Sequence, residues 1–434
     1  MIPSPSAPSA PSARSVLPGL PAVLACLERP SAAPAVGWLD GLRLDSHFQP
    51  IFSLSHGRVV GHEALLRATA ADGTPVAPPR FFDVEVFEVL GWRDRVVRAL
   101  HAANYTRVAS PAQWLFLNMH PQVFLRAAQD RDDRFMEQFF EHFGLAGPQV
   151  VFEVLEEAVQ DDAEFAAAVE LLRSRGCLIA LDDFGAGHSN FDRVWRLRPE
   201  IVKLDRSLVA HAAREPRARR VVVQMVSLLH ECGALVLMEG VETEAEAFVA
   251  LESDADLVQG WYFARPQPDL VHRDHAGPML GDLWAGFGGR WRDQQSAYRE
   301  RIAPYRNGIG YAAALLAGGR PLAEAVQSFL QLPDAEVCYL LGPDGRQIGI
   351  NHWGERVAQA ADPAFEPLRD TRGARWGRRP YFRRAVEAAG RVQATRPYRS
   401  LQGSQLCVTV STAFRPPGGA AGELHVVCGD LTWR

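Results

Sequence analysis

From about residue 40 to residue 265 the chain alternates between short apolar runs and longer stretches with apolar residues at helical spacing. The short runs are "HFQPIFSL", "VVGHEALL", "LFLNMH", "VVFEVLE", "CLIALDDF", "IVKLD", "LVLMEGVE" and "LVQGWYFA". Their length and β-branched content predict eight strands. Most of the intervals read as helices, such as "DDAEFAAAVELLRSRG" and "RRVVVQMVSLLHECG", each stopping at a glycine suited to a helix C-terminus. Nearly continuous apolar strands alternating with helices specify a parallel sheet with both faces covered, and eight of them suggest a barrel. Only "SHGR" separates the first two strands. That is too short for a parallel crossover, so this pair is expected to be an antiparallel hairpin.

The rhythm stops near residue 275. "GDLWAGFGGRWRDQQSAYRERIAPYR" predicts a connecting helix with a glycine-rich interruption. Beyond it, "VCYLLGPDGRQIGIN" reads as two strands joined at Pro343-Asp344-Gly345, and "QLCVTVSTAF" and "ELHVVCGDL" add two more. The expected architecture is α/β: a modified TIM-type (β/α)8 barrel with an antiparallel first strand, then a connecting helix and an α+β domain. The boundaries read as a disordered Pro/Ser/Ala-rich N-terminus over 1–36, the barrel over 37–275, a helical linker over 276–309 and the second domain over 310–434.

Composition narrows the function. The chain has 434 residues, 47% of them hydrophobic, enough for cores in two or three domains. Its 46 basic and 51 acidic residues leave a formal charge of -5, which argues against a nucleic-acid polymer bound on a broad basic face. Six scattered cysteines without CxxC spacing suit reduced thiols in a cytoplasmic protein. No apolar run reaches the length of a membrane span, and the N-terminus lacks the pattern of a signal peptide.

The chemistry lies where polar residues interrupt the apolar runs. Glu63, Asn118, Glu153, Asp182 with Asp183, Lys203, Glu239 with Glu242, and Gln259 fall at or near the ends of seven predicted strands. In a barrel of this class those ends converge on one mouth. A glutamate ending one strand is more often a solvated or capping residue, but seven strands behaving alike is not explained that way. Several carboxylates in one mouth repel and take up protons unless cations neutralise them. An oxygen-dominated set favours Mg²⁺ or Mn²⁺ over zinc, and adjacent aspartates can serve two ions. Paired ions about 3.5–4 Å apart recur where a phosphodiester is attacked in line. A glycosidase built on paired carboxylates fits poorly with the Asp-Asp pair, Asn118 and Lys203. Lys203 is the chain's one lysine among 46 basic residues. It stands where a compact ammonium differs in use from a guanidinium.

"QPI", "EALLR", "LNMH", "FEVLEE", "DDFGAGHSN", "VKLD", "EGVE" and "QGWYFARP" occur in the order and approximate spacing of the EAL domain, which this stretch of about 40–270 resembles. That family comprises bacterial phosphodiesterases that cut cyclic di-GMP to linear pGpG. The resemblance implies that Glu63, Asn118, Glu153 and Asp182 hold a first metal ion and that Asp182 bridges to a second beside Asp183. It implies that Lys203 holds the attacking water and that Glu239 is general base or second-metal ligand, which the sequence leaves open. Arg67 resembles the arginine that contacts substrate phosphate, with Gln49 and Leu65 beside it in the substrate groove. Gln259 and Glu242 look like supporting residues, Gln259 through water, and Glu156 resembles the glutamate anchoring the loop after "DDFG". Every such position is present, which favours an enzyme over a catalytically weak or silent receptor for cyclic di-GMP. A homodimer is also expected.

The loop "DDFGAGHSN" departs from the family's common "DDFGTGYSS" at Ala186 and His188, which bears on regulation more than chemistry. Met238 is expected to pack, and Ala68, where tryptophan is common, to loosen a groove wall. The segments "YLLGPDGRQIGIN", "RRPYFRRAV" and "RPYRSLQGSQLCVTVST" are similar to PAS-like and Cache-type sensor folds. That similarity implies a pocket near Arg379, Tyr381, Tyr398 and Ser400 for an unknown small ligand, or none. Alternatively, Tyr381 and Phe382 fill a core.

Overall fold

The eight apolar runs form eight strands that close on themselves. These are β1 (Leu42–Ser53), β2 (Arg58–Thr69), β3 (Trp114–Asn118), β4 (Val150–Leu155), β5 (Leu178–Phe184), β6 (Ile201–Leu204), β7 (Leu235–Met238) and β8 (Leu257–Val258). The computed structural model describes residues 17–30, 33–108, 112–129, 134–155, 162–187, 191–274, 277–354, 368, 370–399, 406–420 and 422–433. From β2 to β8 every neighbouring pair is parallel. β1 is antiparallel to both β2 and β8, and this closes the barrel. The hairpin, the barrel and its irregular first strand are as the sequence specifies. The helices stop at the expected glycines: Gly176 and Gly233 take φ values of 81° and 87°, after helices Asp162–Ser174 and Pro216–Glu231.

Inside the barrel, side chains stack in layers. Ile51, Phe116, Val151, Ala180, Ile201, Leu237 and Leu257, one from each of seven strands, make an apolar plug. On β2 the corresponding residue is Gly61, where an added Cβ would sit 3.0 Å from the Phe116 ring and 2.9 Å from the Trp114 carbonyl. The glycine leaves room for the phenylalanine. Since strand side chains alternate with period two, the residues two positions further toward the mouth face the same interior. From Gly61, Phe116, Val151, Ala180, Ile201, Leu237 and Leu257, that step reaches Glu63, Asn118, Glu153, Asp182, Lys203, Glu239 and Gln259. On the antiparallel β1 the step runs backward, from Ile51 to Gln49.

The N-terminal expectation needs correction. Leu20–Leu24 is a helix that buries Leu20 and Val23, and the short strands Leu27–Glu28 and Val36–Leu39 extend the sheet from β1. A few apolar residues in a Pro/Ser-rich stretch sufficed to dock it; residues 1–16, 31 and 32 lie outside those described. Ala68 is also misplaced by the sequence reading. It is 3% exposed and packs in the core behind β2, so it does not line the groove side of that strand. Met238 packs in the same core. All six cysteines are unpaired.

The chain divides into two compact units at Gly288/Gly289. The helix Gly277–Ala317 is continuous through the glycine-rich stretch. Leu280 and Leu283 anchor it in the first unit's core, and Ile302, Tyr305 and Ile309 anchor it in the second's. Burial at both ends outweighs a helical glycine's cost of about 1 kcal/mol relative to alanine. The second unit is an antiparallel sheet of β9 (Ala335–Leu341), β10 (Gln347–Trp353), β11 (Gln393–Ala394), β12 (Tyr398–Arg399), β13 (Leu406–Phe414) and β14 (His425–Thr432). Its order is β10-β9-β14-β13-β11, with β12 also on β13. Tyr381 and Phe382 are buried against one face, and the Tyr398 hydroxyl meets Thr409 Oγ1 at 2.5 Å. Thr409 in turn donates to Asp430 Oδ1 at 2.7 Å. Ser400 lies outside the described residues. Among the described residues no helix is long and apolar enough to cross a membrane.

Candidate active site

The polar layer above the plug is centred on Lys203, whose side chain is 1% exposed. Its ammonium lies 2.5 Å from Glu153 Oε1, 2.8 Å from Glu239 Oε1 and 3.0 Å from Asp182 Oδ1. Burial alone would push this lysine down. Asp182, Glu153, Glu239 and Glu63 outweigh it and hold the ammonium well above its ordinary pKa. It is therefore a fixed cation set among carboxylates.

A second group adjoins it. Asn118 Nδ2 donates to Glu63 Oε1 at 3.1 Å, and Gln259 Nε2 donates to Glu63 Oε2 at 2.7 Å and to Gln49 Oε1 at 3.2 Å. Gln49 is further tied to the Ala264 carbonyl. Beyond Lys203, one oxygen each from Asp182, Asp183 and Glu239 lie within 4.8 Å of one another. Asp183 reaches this position with a φ of 56°, its amide donating to Asp182 Oδ1 at 3.0 Å. The backbone turn puts both aspartates at the mouth, where regular strand alternation would turn one away.

The chemistry of these groups fits divalent cations. Glu63, Glu153, Asp182, Asp183 and Glu239 bring five carboxyl groups to the mouth, and the Lys203 ammonium pairs with three of them. Glu153 Oε1 faces the Lys203 ammonium, while the buried Glu153 Oε2 and Gln259 Oε1 have no hydrogen-bond partner. Buried acceptors of this kind are costly unless a cation or water meets them. Burial and the neighbouring Glu63 push Glu153 well above the carboxylate range. Burial, with Asp182 and Glu63, lifts Glu239 to about 8 against the pull of Lys203.

A pH dependence follows. A carboxyl with a raised folded pKa stabilises the fold only while it keeps its proton. The metal-free protein therefore loses stability from Glu239 as the pH climbs from 4.5 toward 8. Cation binding has to displace that proton, so Mn²⁺ affinity is expected to rise between pH 6 and 8 by up to about tenfold per unit for each proton released. Calorimetry in buffers of different ionisation enthalpy reads the release directly. Equal affinity at both pH values would contradict it.

The β1–β2 hairpin forms a wall past the mouth. Glu63, Leu65 and Arg67 alternate along one face of β2, opposite Gln49, His47 and Asp45 of β1 in register. All but the buried Glu63 are partly exposed. His47 was missed by the sequence reading, although the same alternation that selects Leu65 and Arg67 selects it. Its ring is hydrogen-bonded to the Pro266 backbone, and burial, then Arg67, lower its pKa. Glu242 does not join the carboxylates: it is exposed and faces Arg206 Nη1 at 3.4 Å. Its backbone amide is held by Glu246, which with Thr243 caps the helix Glu244–Glu252 and fixes the loop carrying Glu239. The Thr243-x-x-Glu246 spacing signals that cap in the sequence. Glu156 and His188 lie outside the described residues.

The EAL domain family profile matches residues 39–266, more than half of the chain. The cyclic di-GMP phosphodiesterase RocR of Pseudomonas aeruginosa is 30% identical over 255 residues, covering 57% of this chain and 64% of RocR. The cyclic di-GMP phosphodiesterase NbdA of the same organism is 28% identical over 238 residues, 52% of this chain and 29% of NbdA. The chain thus spans less than two thirds of the length of these relatives. The crystal structure of Bacillus subtilis YkuI, a protein with an EAL domain in complex with substrate c-di-GMP and calcium, superposes with a TM-score of 0.76. That likeness covers 90% of this chain and 96% of YkuI at 19% identity, and it concerns the fold.

Proposed function

The chain belongs to the EAL domain family, and on that premise we propose that it hydrolyses cyclic di-GMP to linear pGpG using two divalent cations, Mg²⁺ or Mn²⁺. The observation that carries this is the buried Lys203 ammonium held by Glu153, Asp182 and Glu239, beside a Glu63 carboxylate oriented by Asn118 and Gln259. A receptor that only held the nucleotide would have no use for a costly buried charge cluster at the floor of its groove.

Glu63, Asn118, Glu153 and Asp182 would hold one ion, and Asp182, Asp183 and Glu239 the other. When bound, such ions neutralise phosphate charge and make water a stronger nucleophile at neutral pH. The protein's own groups do the rest. Lys203 donates a hydrogen bond to the attacking water and keeps it in place, and its fixed charge suits that role better than proton transfer. Glu239, with its raised pKa, accepts the water's proton or serves as a ligand. Arg67 meets the phosphate from the hairpin wall, where a guanidinium fork matches two oxygens, while Gln49 and Leu65 border the nucleotide and Gln259 acts through water. The second unit is read as a PAS-like sensor or dimerisation module that sets the activity of a cytoplasmic homodimer.

Incubating purified protein with cyclic di-GMP and Mg²⁺ is expected to yield pGpG by nucleotide chromatography, and excess EDTA to stop turnover. Tight binding without turnover in Mg²⁺ or Mn²⁺ would replace this reading by that of a receptor.

A further inference from the structure

The second unit carries an open groove of about 670 Å³, lined by Tyr298, Arg306 and Asn307 from the long helix and by Arg391, Val392, Gln393 and Ala394 at the sheet edge. From these residues we infer a second ligand site, one that takes a small phosphomonoester bearing a flat ring. It is independent of the barrel chemistry, since none of its residues belongs to the barrel.

Its volume falls within the roughly 300–1,000 Å³ of small-molecule pockets. Its charge is positive and uncompensated. Arg306 and Arg391 are exposed, and among the described residues neither forms an ion pair, whereas the neighbouring Arg301 faces Asp334 at 3.5 Å. The stretch 370–399 holds nine arginines against Asp370 and Glu387, in a chain whose net charge is -5. Two arginines lining one groove suit a dianion, and a phosphomonoester carries about -1.5 to -2 at neutral pH, more than a single carboxylate.

Two further features select the class. β11 is an edge strand, and an exposed edge would ordinarily invite an added peptide strand. Here Arg306 Nη2 already donates to the Val392 carbonyl at 2.9 Å. That contact braces the groove beside β11, and a strand of only two residues offers little edge for an extended peptide to pair with, which favours a compact ligand. The aromatic wall is Tyr298, whose ring is fixed by Trp433 at 5.5 Å between centroids, while Arg301 stacks on Trp433 from 4.1 Å. A braced, half-exposed phenol offers a flat base a stacking surface, and Asn307 adds an amide that can both donate and accept.

The test is calorimetric titration of the full chain in EDTA, so that no divalent cation helps the barrel hold phosphate. AMP is the probe, with adenosine and inorganic phosphate as its two halves. AMP is expected to bind more tightly than phosphate, and adenosine not at all. Arg391→Gln leaves no buried partner behind and is expected to weaken AMP by roughly tenfold or more. Tyr298→Leu should weaken AMP but leave phosphate unchanged. Absence of AMP binding at millimolar concentration, or unaltered AMP binding in Arg391→Gln, would overturn the proposal. If Arg391→Gln changes the sedimentation of the protein and not its AMP affinity, the groove is a contact between copies and the ligand site is wrong.

Discussion

Lys203→Arg is expected to lower kcat by roughly 100-fold or more, the scale of a misplaced reacting group, while KM for cyclic di-GMP changes little. The ammonium is packed between Glu153, Asp182 and Glu239 at 2.5–3.0 Å with almost no exposure. A guanidinium keeps the charge but is larger and planar, so it has to displace the carboxylates or the water they surround. Lys203→Met separates charge from shape. It leaves the buried Glu153 and Asp182 and the partly buried Glu239 without their cation, and breaking a buried charge set by removing one partner costs about 3–5 kcal/mol. The metal-free Met variant is therefore expected to melt well below wild type, and Mn²⁺ to restore more of its Tm than it adds to wild type. Turnover like wild type in Lys203→Arg, or no Tm loss in Lys203→Met, would contradict the role assigned to this lysine.

Asp182→Asn is expected to weaken Mn²⁺ binding by at least roughly 10–100-fold, the loss seen even for residues that only support metal ligands. Turnover should fall by about 1,000-fold, as several kcal/mol of metal-assisted stabilisation disappear at one decade per 1.36 kcal/mol. Asp182 touches both halves of the site: its Oδ1 meets Lys203 and accepts the Asp183 amide, and it shares a space with Asp183 and Glu239. The amide has nearly the same shape but takes away one of the carboxylates paired with the buried Lys203, so the metal-free fold is expected to lose some stability as well. An unchanged metal titration would show that Asp182 is not a ligand.

The barrel was legible because its signals are local. Each strand is a dense apolar run, and the hairpin is dictated by the four residues of "SHGR". The site was legible for a related reason: a carboxylate, amide or ammonium at the end of such a run is expensive unless used. The layering sharpens this, since Phe116 and Asn118, Val151 and Glu153, and Ala180 and Asp182 each pair a plug residue with a mouth residue two positions on. What the sequence hid depends on direction or distant packing. Ala68 and Arg67 are adjacent, yet strand alternation sends one to the core and the other to the groove. Glu242 shares a motif with Glu239, but the cap made by Thr243 and Glu246 turns the loop so that it faces Arg206 instead. The N-terminal helix is held by two buried side chains, Leu20 and Val23, a face too short to register as a period. The glycines near 286–289 read as a break because the burial that carries the helix across them comes from residues on either side.

The proposed hydrolysis requires oxygens from separate strands to meet around paired cations with one ammonium beside them. Anomalous scattering from crystals of the protein soaked in Mn²⁺ and cyclic di-GMP addresses this directly. Two manganese peaks are expected about 3.5–4 Å apart, one against Glu63, Asn118, Glu153 and Asp182, the other against Asp182, Asp183 and Glu239. No peak in the mouth at saturating Mn²⁺, or peaks only at sites remote from Lys203, would contradict it.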